Sequence, residues 1–425
     1  MSAVKRLRTE AALRQQPALT GGNAVQLHAG GDELFPAMRA AISRARTQVW
    51  MATYIFHDDD ASRAMAAALA EAARRGVKVQ LVVDGFGAKA TLAHVRGWLE
   101  PAGVQVAVFR PIDRWWRLLH PGQLRRLHQK LCVVDGEVAF VGGINVIDDR
   151  NDLNHGWSDT PRLDFAVEVR GPVVESVEQT ARAIWTRAAL GADWRDELAS
   201  MARSSEPIRR ARRMFGRLMI LPPAMPALGH ETQPPMRAVF VVRDNLRQRR
   251  AIEHAYVEAI ESARERIGII CPYFYPGRVF RSALRDAAQR GVKVRLLLQG
   301  KADYRFAALA AQVLYDELLT AGVRVFEYTP AFLHAKVAFV DSDWATVGSS
   351  NIDPLSLLLN LEANVVVQDL GFAGDLALRF ESALAASREI TRPAVGRGWW
   401  AAMRRGFVAW TAYWFLRLAG MNGRY

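Results

Sequence analysis

Two short stretches carry the residues best suited to chemistry: LHQKLCVVDG (127–136) and LHAKVAFVDS (333–342). Each holds a histidine, a lysine two places on and an aspartate further along: His128, Lys130, Asp135 and His334, Lys336, Asp341. In a strand, residues i and i+2 share a face, so each imidazole should project beside an ammonium. A second short strand then closes on GGIN (142–145) or GSSN (348–351). There Gly142 and Gly143, or Gly348 and Ser349, allow backbone and the amide of Asn145 or Asn351 to approach a bound group. An imidazole, an ammonium and an amide suit a phosphate ester. Lysine and asparagine hold the non-bridging oxygens, and the imidazole attacks phosphorus or carries a proton. Only seven of the 56 basic residues are lysines. Keeping one twice at this position argues for a compact ammonium where a guanidinium fork does not fit.

A reactive histidine needs its tautomer held, commonly by a carboxylate on the other ring nitrogen. Glu362 in NLEANVVV and Asp164 in RLDFAVEVRGP sit on the strands after the two motifs. They are expected to orient the histidine of their own half, Glu362 with His334 and Asp164 with His128; an ordinary edge carboxylate is the alternative. Asp135 and Asp341 lie seven residues past their histidines, too far along a strand to touch substrate, and are assigned a structural salt bridge. No metal or other cofactor is expected. The two cysteines, Cys132 and Cys271, are isolated in apolar runs, and Asp58–Asp60 reads as a helix-capping turn.

The elements that position these groups come as a repeat. AARRGVKVQLVVDG (72–85) is matched by AAQRGVKVRLLLQG (287–300), and AAISRARTQVWMATYIF (40–56) by EAIESARERIGIICPYF (258–274). AGVQVAVFRP (102–111) is matched by AGVRVFEYTP (321–330). Each half reads helix, strand, helix, Arg-Gly turn, strand, helix, Ala-Gly turn, strand, then the histidine strand. Short apolar runs alternating with Ala-rich helical patterns predict an α/β fold. The expected organisation is an N-terminal domain (1–205), a basic and Pro-rich linker (206–236), a C-terminal domain (237–395) and a Trp/Arg-rich tail (396–425).

The doubled His-x-Lys-x4-Asp pattern, each followed by its Gly-rich turn and asparagine, resembles the paired HKD motifs of the phospholipase D superfamily, over nearly the whole chain. Within it, the order of segments resembles bacterial cardiolipin synthases of the short, B-like type. The resemblance implies two similar α/β domains related by a pseudo-two-fold axis, with a single site at their interface. It further implies a phosphohistidine intermediate on one histidine, with the other protonating the departing alcohol and then deprotonating the acceptor. His128 is taken as nucleophile and His334 as acid/base.

The charge of +13 and pI near 10.2 call for an anionic partner: acidic lipid, nucleic acid or a phosphate-bearing substrate. Cysteine usage fits a reducing compartment. The N-terminus has no apolar secretory core, and the longest strongly apolar run, GFVAWTAYWFL, is too short to span a bilayer. Tryptophan and arginine flank that run, and IDRWWRLLHPGQLRRL (112–127) has the same mixture. Both read as interfacial segments on anionic lipid or as helices docked on the core; the basic stretch at 203–217 reads as a membrane-facing arm or a solvated connector. Dense Trp-Trp pairs favour lipid over nucleic acid, whose stacking sites use scattered aromatics. The expected activity is phosphatidyl transfer from one phosphatidylglycerol to another at the cytoplasmic face of the inner membrane, the protein being peripheral and taking no nucleic acid. A hydrolytic phospholipase D, a transferase for another head group, and a nuclease are the alternatives.

Overall fold

A computed structural model describes residues 18–112, 125–153, 156–202, 236–243, 250–300, 315, 317–353, 356 and 360–391. The first half runs β1 (Thr20–Ala29), α1 (Gly30–Ser43), β2 (Gln48–Thr53), α2 (Asp60–Arg74), β3 (Lys78–Asp84), α3 (Leu92–Leu99) and β4 (Gln105–Phe109). It continues through β5 (Lys130–Val134), β6 (Val138–Gly142), a ribbon of β7 (Asn151–Asp152) and β8 (Gly156–Trp157), β9 (Phe165–Arg170) and α4 (Val173–Ala202). The second half runs β10 (Met236–Arg243), α5 (Ala251–Ser262), β11 (Arg266–Cys271), α6 (Arg278–Gln289), β12 (Lys293–Gln299) and β13 (Arg324–Tyr328). It ends with β14 (Val337–Val340), β15 (Trp344–Gly348), β16 (Glu362–Gln368), α7 (Leu370–Ala385) and β17 (Ser387–Ile390).

Local chemistry explains the repeated units. The Asp59 carboxylate accepts from Ser62 N at 2.9 Å and starts α2, so the acidic run is a cap. In α6, Phe280, Ala283, Leu284 and Ala287 fall on one face and are buried. Both helices stop at an Arg-Gly turn, where Gly76 and Gly291 take φ of +92° and +93° that a side chain would resist.

Among the described residues, fifteen strands form one continuous sheet, in the order β17-β13-β12-β11-β14-β15-β16-β10-β1-β9-β6-β5-β2-β3-β4. The order reads alike outward from the antiparallel β1–β10 pair, apart from the extra edge strand β17. That pair is the pseudo-two-fold seam, and the repeat pattern gave no hint of it, because β1 and β10 precede the matched segments. One apolar cluster crosses the seam, joining Val167 and Val169 to Phe240, Val365 and Val367 beneath α4 and α7. Separate clusters fill the opposite face of each half. With cover on both faces, β5 and β14 are buried at every position.

Candidate active site

Both histidines sit just ahead of their strands, where the two halves meet. Leu127 and Leu361 form a parallel bridge, as do Leu163 and Leu333. His128 N donates to Leu361 O at 3.1 Å, and His334 N donates to Leu163 O at 2.9 Å. The segment before each histidine is thus stitched to the segment before the other half's carboxylate.

This stitching corrects the expected pairing. His128 Nδ1 lies 3.1 Å from Glu362 Oε2, and His334 Nδ1 lies 2.6 Å from Asp164 Oδ2. Each carboxylate serves the histidine of the opposite half. The cause is strand order: β9 and β16 flank the central pair, so their leading ends face across the seam, away from their own β5 and β14.

The lysines are buried beside their histidines. Lys130 Nζ donates to His128 O at 2.7 Å, and Lys336 Nζ donates to His334 O. Ser349 Oγ donates to Glu362 Oε2 at 2.6 Å. Gly143 holds the equivalent place in the first half, where a Cβ would come within 2.4 Å of Asp164 Oδ1, so glycine is required there. Asn145 is buried and its Oδ1 accepts from Ile55 N at 3.2 Å. Asn351 is buried too, with its Oδ1 lacking a hydrogen-bond partner among the described residues.

The electrostatics are less symmetric than the geometry. Burial lowers His128, against the pull of Glu362. Burial, then Lys336, Arg162, Lys130 and His128, drives His334 well below the usual histidine range. Glu362 is pushed up by burial, but His128, Lys130 and Ser349 together bring it below the ordinary glutamate value. Asp164 is pushed by burial up to about 7, against Lys336. The mutual influence of both histidines and both lysines places all four in one charge cluster.

Asp135 and Asp341 lie outside it, and neither forms a side-chain ion pair among the described residues. Asp135 accepts from the backbone N–H groups of Arg46, Thr47 and Gln48 at 2.8–2.9 Å, and Asp341 from those of Arg264, Glu265 and Arg266 at 2.8–3.0 Å. The expected salt bridge is therefore a backbone tie that fixes the loop entering β2 or β11. Burial alone would raise both carboxyls, but the backbone N–H bonds outweigh it and leave them below the ordinary value. Their contribution to stability is complete at neutral pH and is lost as pH falls through that lowered range. Asp135→Ala and Asp341→Ala should each cost about 2–3 kcal/mol, read as a lower denaturation midpoint, with turnover per folded molecule retained.

Several contributors went unrecognised in the sequence. Asp84 Oδ2 accepts from Leu127 N at 2.9 Å, and Gln299 Oε1 accepts from Leu333 N at 3.0 Å, so each steadies the residue before a histidine. Their signal was a polar residue at the same repeat position ending an apolar strand. Tyr54 packs edge-on to His128 with centroids 5.2 Å apart and lies 5.7 Å beneath Lys130 Nζ. Arg162 joins the charge around His334. The Trp/Arg-rich tail, the connector at 203–235 and residues 113–124 of the other aromatic segment lie outside the described residues. No described helix is long and apolar enough to cross a membrane.

Residues 38–157 and 256–384 match the family model described as cardiolipin synthase, PLD-like domain. The chain is 36% identical over 387 residues to cardiolipin synthase B of Escherichia coli (strain K12), covering 89% of this chain and 85% of that protein. It is 36% identical over 400 residues to cardiolipin synthase A of Pseudomonas fluorescens (strain SBW25), covering 92% of this chain and 76% of that one. Among solved structures, phosphatidylserine synthase from Haemophilus influenzae Rd KW20 superposes with a TM-score of 0.66 at 12% identity, covering 98% of this chain and all of that chain, a likeness of fold.

Proposed function

The chain belongs to the phospholipase D-like cardiolipin synthase family, and from that premise we propose that it joins two phosphatidylglycerol molecules and releases glycerol. The observation that carries the mechanism is the crossed pair of histidine–carboxylate contacts at a single seam. Displacement at phosphorus needs a nucleophile on one side and a proton donor on the other, and each half supplies only one imidazole.

The two pairs suit different tasks. Glu362, held ionised, accepts Nδ1–H of a neutral His128, leaving the Nε2 lone pair free to attack and supporting the charge that develops on the ring. Below about pH 7 the Asp164 carboxyl keeps its proton beside a neutral His334, so the ring can give its Nε2 proton to the leaving alcohol while the carboxyl proton passes to Nδ1. In the first step His128 Nε2 bonds to phosphorus, the phosphorus–oxygen bond to glycerol breaks, and that oxygen takes its proton from His334. In the second, the acceptor hydroxyl gives its proton to His334, its oxygen bonds to phosphorus and the phosphorus–nitrogen bond breaks. Both histidines return to their starting state. Lys130, Lys336, Asn145 and Asn351 hold the non-bridging oxygens, and Asp135 and Asp341 support the strands behind them.

Burial holds Lys130 at about 7 and Lys336 at about 8. A phosphate oxygen favours the ammonium form, so an anion entering the site draws protons in. Tungstate, a phosphate-like dianion, should bind with proton uptake near pH 8 and bind more weakly as pH rises toward about 9. Calorimetry in buffers of different ionisation enthalpy measures this, and binding without proton uptake would take the lysines out of the anion site.

The strongly basic chain favours a peripheral enzyme on anionic membrane at the cytoplasmic face of the inner membrane. Exposed Phe86 and Leu153 on described turns, and Trp157 on the short β8, add apolar contact surface. The decisive test incubates purified protein with phosphatidylglycerol vesicles and, separately, with single-stranded DNA. Cardiolipin with free glycerol is the expected outcome; phosphatidic acid alone would indicate hydrolysis, and cleavage of DNA without a lipid product would overturn the lipid reading.

A further inference from the structure

The duplicated halves keep their reactive groups in pairs, but one cluster beside the site has no counterpart. Arg126 lies two residues before His128 and is 8% exposed. Its Nη1 donates to Arg110 O at 3.1 Å and lies 3.6 Å from Asp84 Oδ1, while its guanidinium stacks 5.6 Å from the Phe86 ring centroid. Its Nη2 is buried with no hydrogen-bond partner among the described residues. Arg110 Nη1 donates to Arg125 O at 3.3 Å. Burial, followed by the charges of Arg125 and Arg126, brings Arg110 down to about 10 against the opposing pull of Asp84, and Arg187 adds to the lowering. Four guanidiniums thus crowd one flank of the site, and a buried donor among them awaits an acceptor.

At the matching repeat positions, Asp84, Arg110, Arg125 and Arg126 are replaced by Gln299, Thr329, Ala331 and Phe332. All four replacements are uncharged. A scaffold role common to both halves would not need arginine on one side alone. The neutral repeat shows that the fold closes without these charges: Gln299 performs the Leu333 tie unaided. Crowded cations and an unpaired buried N–H are costly unless an anion completes them, and planar forks fit a phosphodiester.

We propose that Arg110, Arg125 and Arg126 form a second phosphate subsite, which binds the phosphodiester of the acceptor lipid while the histidines work on that of the donor. The inference rests on the transfer reading above and deepens it. Donor and acceptor carry the same head group, so a site symmetric in its chemistry needs an asymmetric feature to seat them differently. The spacing agrees. Two residues of extended chain separate Arg126 from His128 by about 7 Å, the same order as the three-carbon bridge between the phosphates of the product. Held there, the acceptor presents its terminal hydroxyl to the phosphohistidine.

The test uses the full-length protein and phosphatidylglycerol vesicles, with labelled glycerol as a competing acceptor that lacks a phosphate. Exchange of labelled glycerol into phosphatidylglycerol reports donor chemistry; cardiolipin reports use of the lipid acceptor. Arg126→Gln, and separately the double change Arg110→Gln with Arg125→Gln, should lower cardiolipin formation at least about tenfold, through KM for the lipid acceptor, and should lower glycerol exchange far less. The double variant leaves the Arg126–Asp84 contact in place, so the result does not hang on one buried side chain. A proportional loss of both products would assign the arginines to the chemical step or to folding and overturn the subsite. So would unchanged cardiolipin formation in both variants. A wild-type protein that exchanges glycerol yet makes no cardiolipin would instead bring down the transfer reading, and the subsite with it.

Discussion

His128→Asn is expected to abolish phosphatidyl-enzyme formation with any donor, a loss of about 10⁴-fold or more. His334→Asn should look equally dead with phosphatidylglycerol but differ with a donor whose leaving group needs no protonation, such as a nitrophenyl ester. That donor should load His128 at a useful rate, after which the enzyme stalls, because nothing deprotonates the acceptor. Acid quench and mass measurement of the protein read the adduct directly. An adduct that persists in His128→Asn and vanishes in His334→Asn would reverse the two roles. The assignment rests on the different company of the rings: Glu362 is held ionised beside His128, and Asp164 is pushed up to about 7 beside His334.

The second large effect follows from the crossing of carboxylates between halves. Glu362→Gln places an amide N–H where Nδ1 of His128 requires an acceptor, which favours the wrong tautomer and should lower the rate about 10³–10⁴-fold. Because Glu362 reaches His128, this variant should fail to load even from the activated donor, matching His128→Asn. Asp164→Asn disturbs His334 and should be rescued by the activated donor, matching His334→Asn. The same-half pairing expected from the sequence would exchange these outcomes, so the four variants also test the tertiary arrangement. Release of glycerol in the first turnover carries a pH signature as well. Asp164 holds its proton below about 7 and loses it above, so the wild-type burst should decline as pH rises through that value. The Asp164→Asn burst should be smaller and lack that limb, as an amide carries no such proton; a limb that survives the substitution would place the titrating group elsewhere.

Much of the site is legible in the chain. His128, Lys130, His334 and Lys336 stand out because in extended chain a spacing of two sets side chains on one face. The glycine turns and the two asparagines follow at matching distances, and the apolar runs with Arg-Gly stops outline β2, β3, β11 and β12. The salt bridges expected of Asp135 and Asp341 are bonds from backbone amides instead, which no spacing along the chain foretold. Asp84 was overlooked because an aspartate ending a parallel strand has many uses, and only the path of residues 125–128 shows which one applies.

What the amino-acid sequence determined by itself was the set of candidate reactive groups, their duplication and the local order of elements, all properties of near neighbours along the chain. Tertiary structure alone decided which carboxylate orients which histidine, since those partners are separated by 234 and 170 residues. It also decided that Arg110, Arg125 and Arg126 converge on one flank. The physical reason is that such contacts depend on the order in which strands join the sheet. That order is settled by β1 and β10 pairing at the seam, through burial shared between two halves that each look complete when read in one dimension.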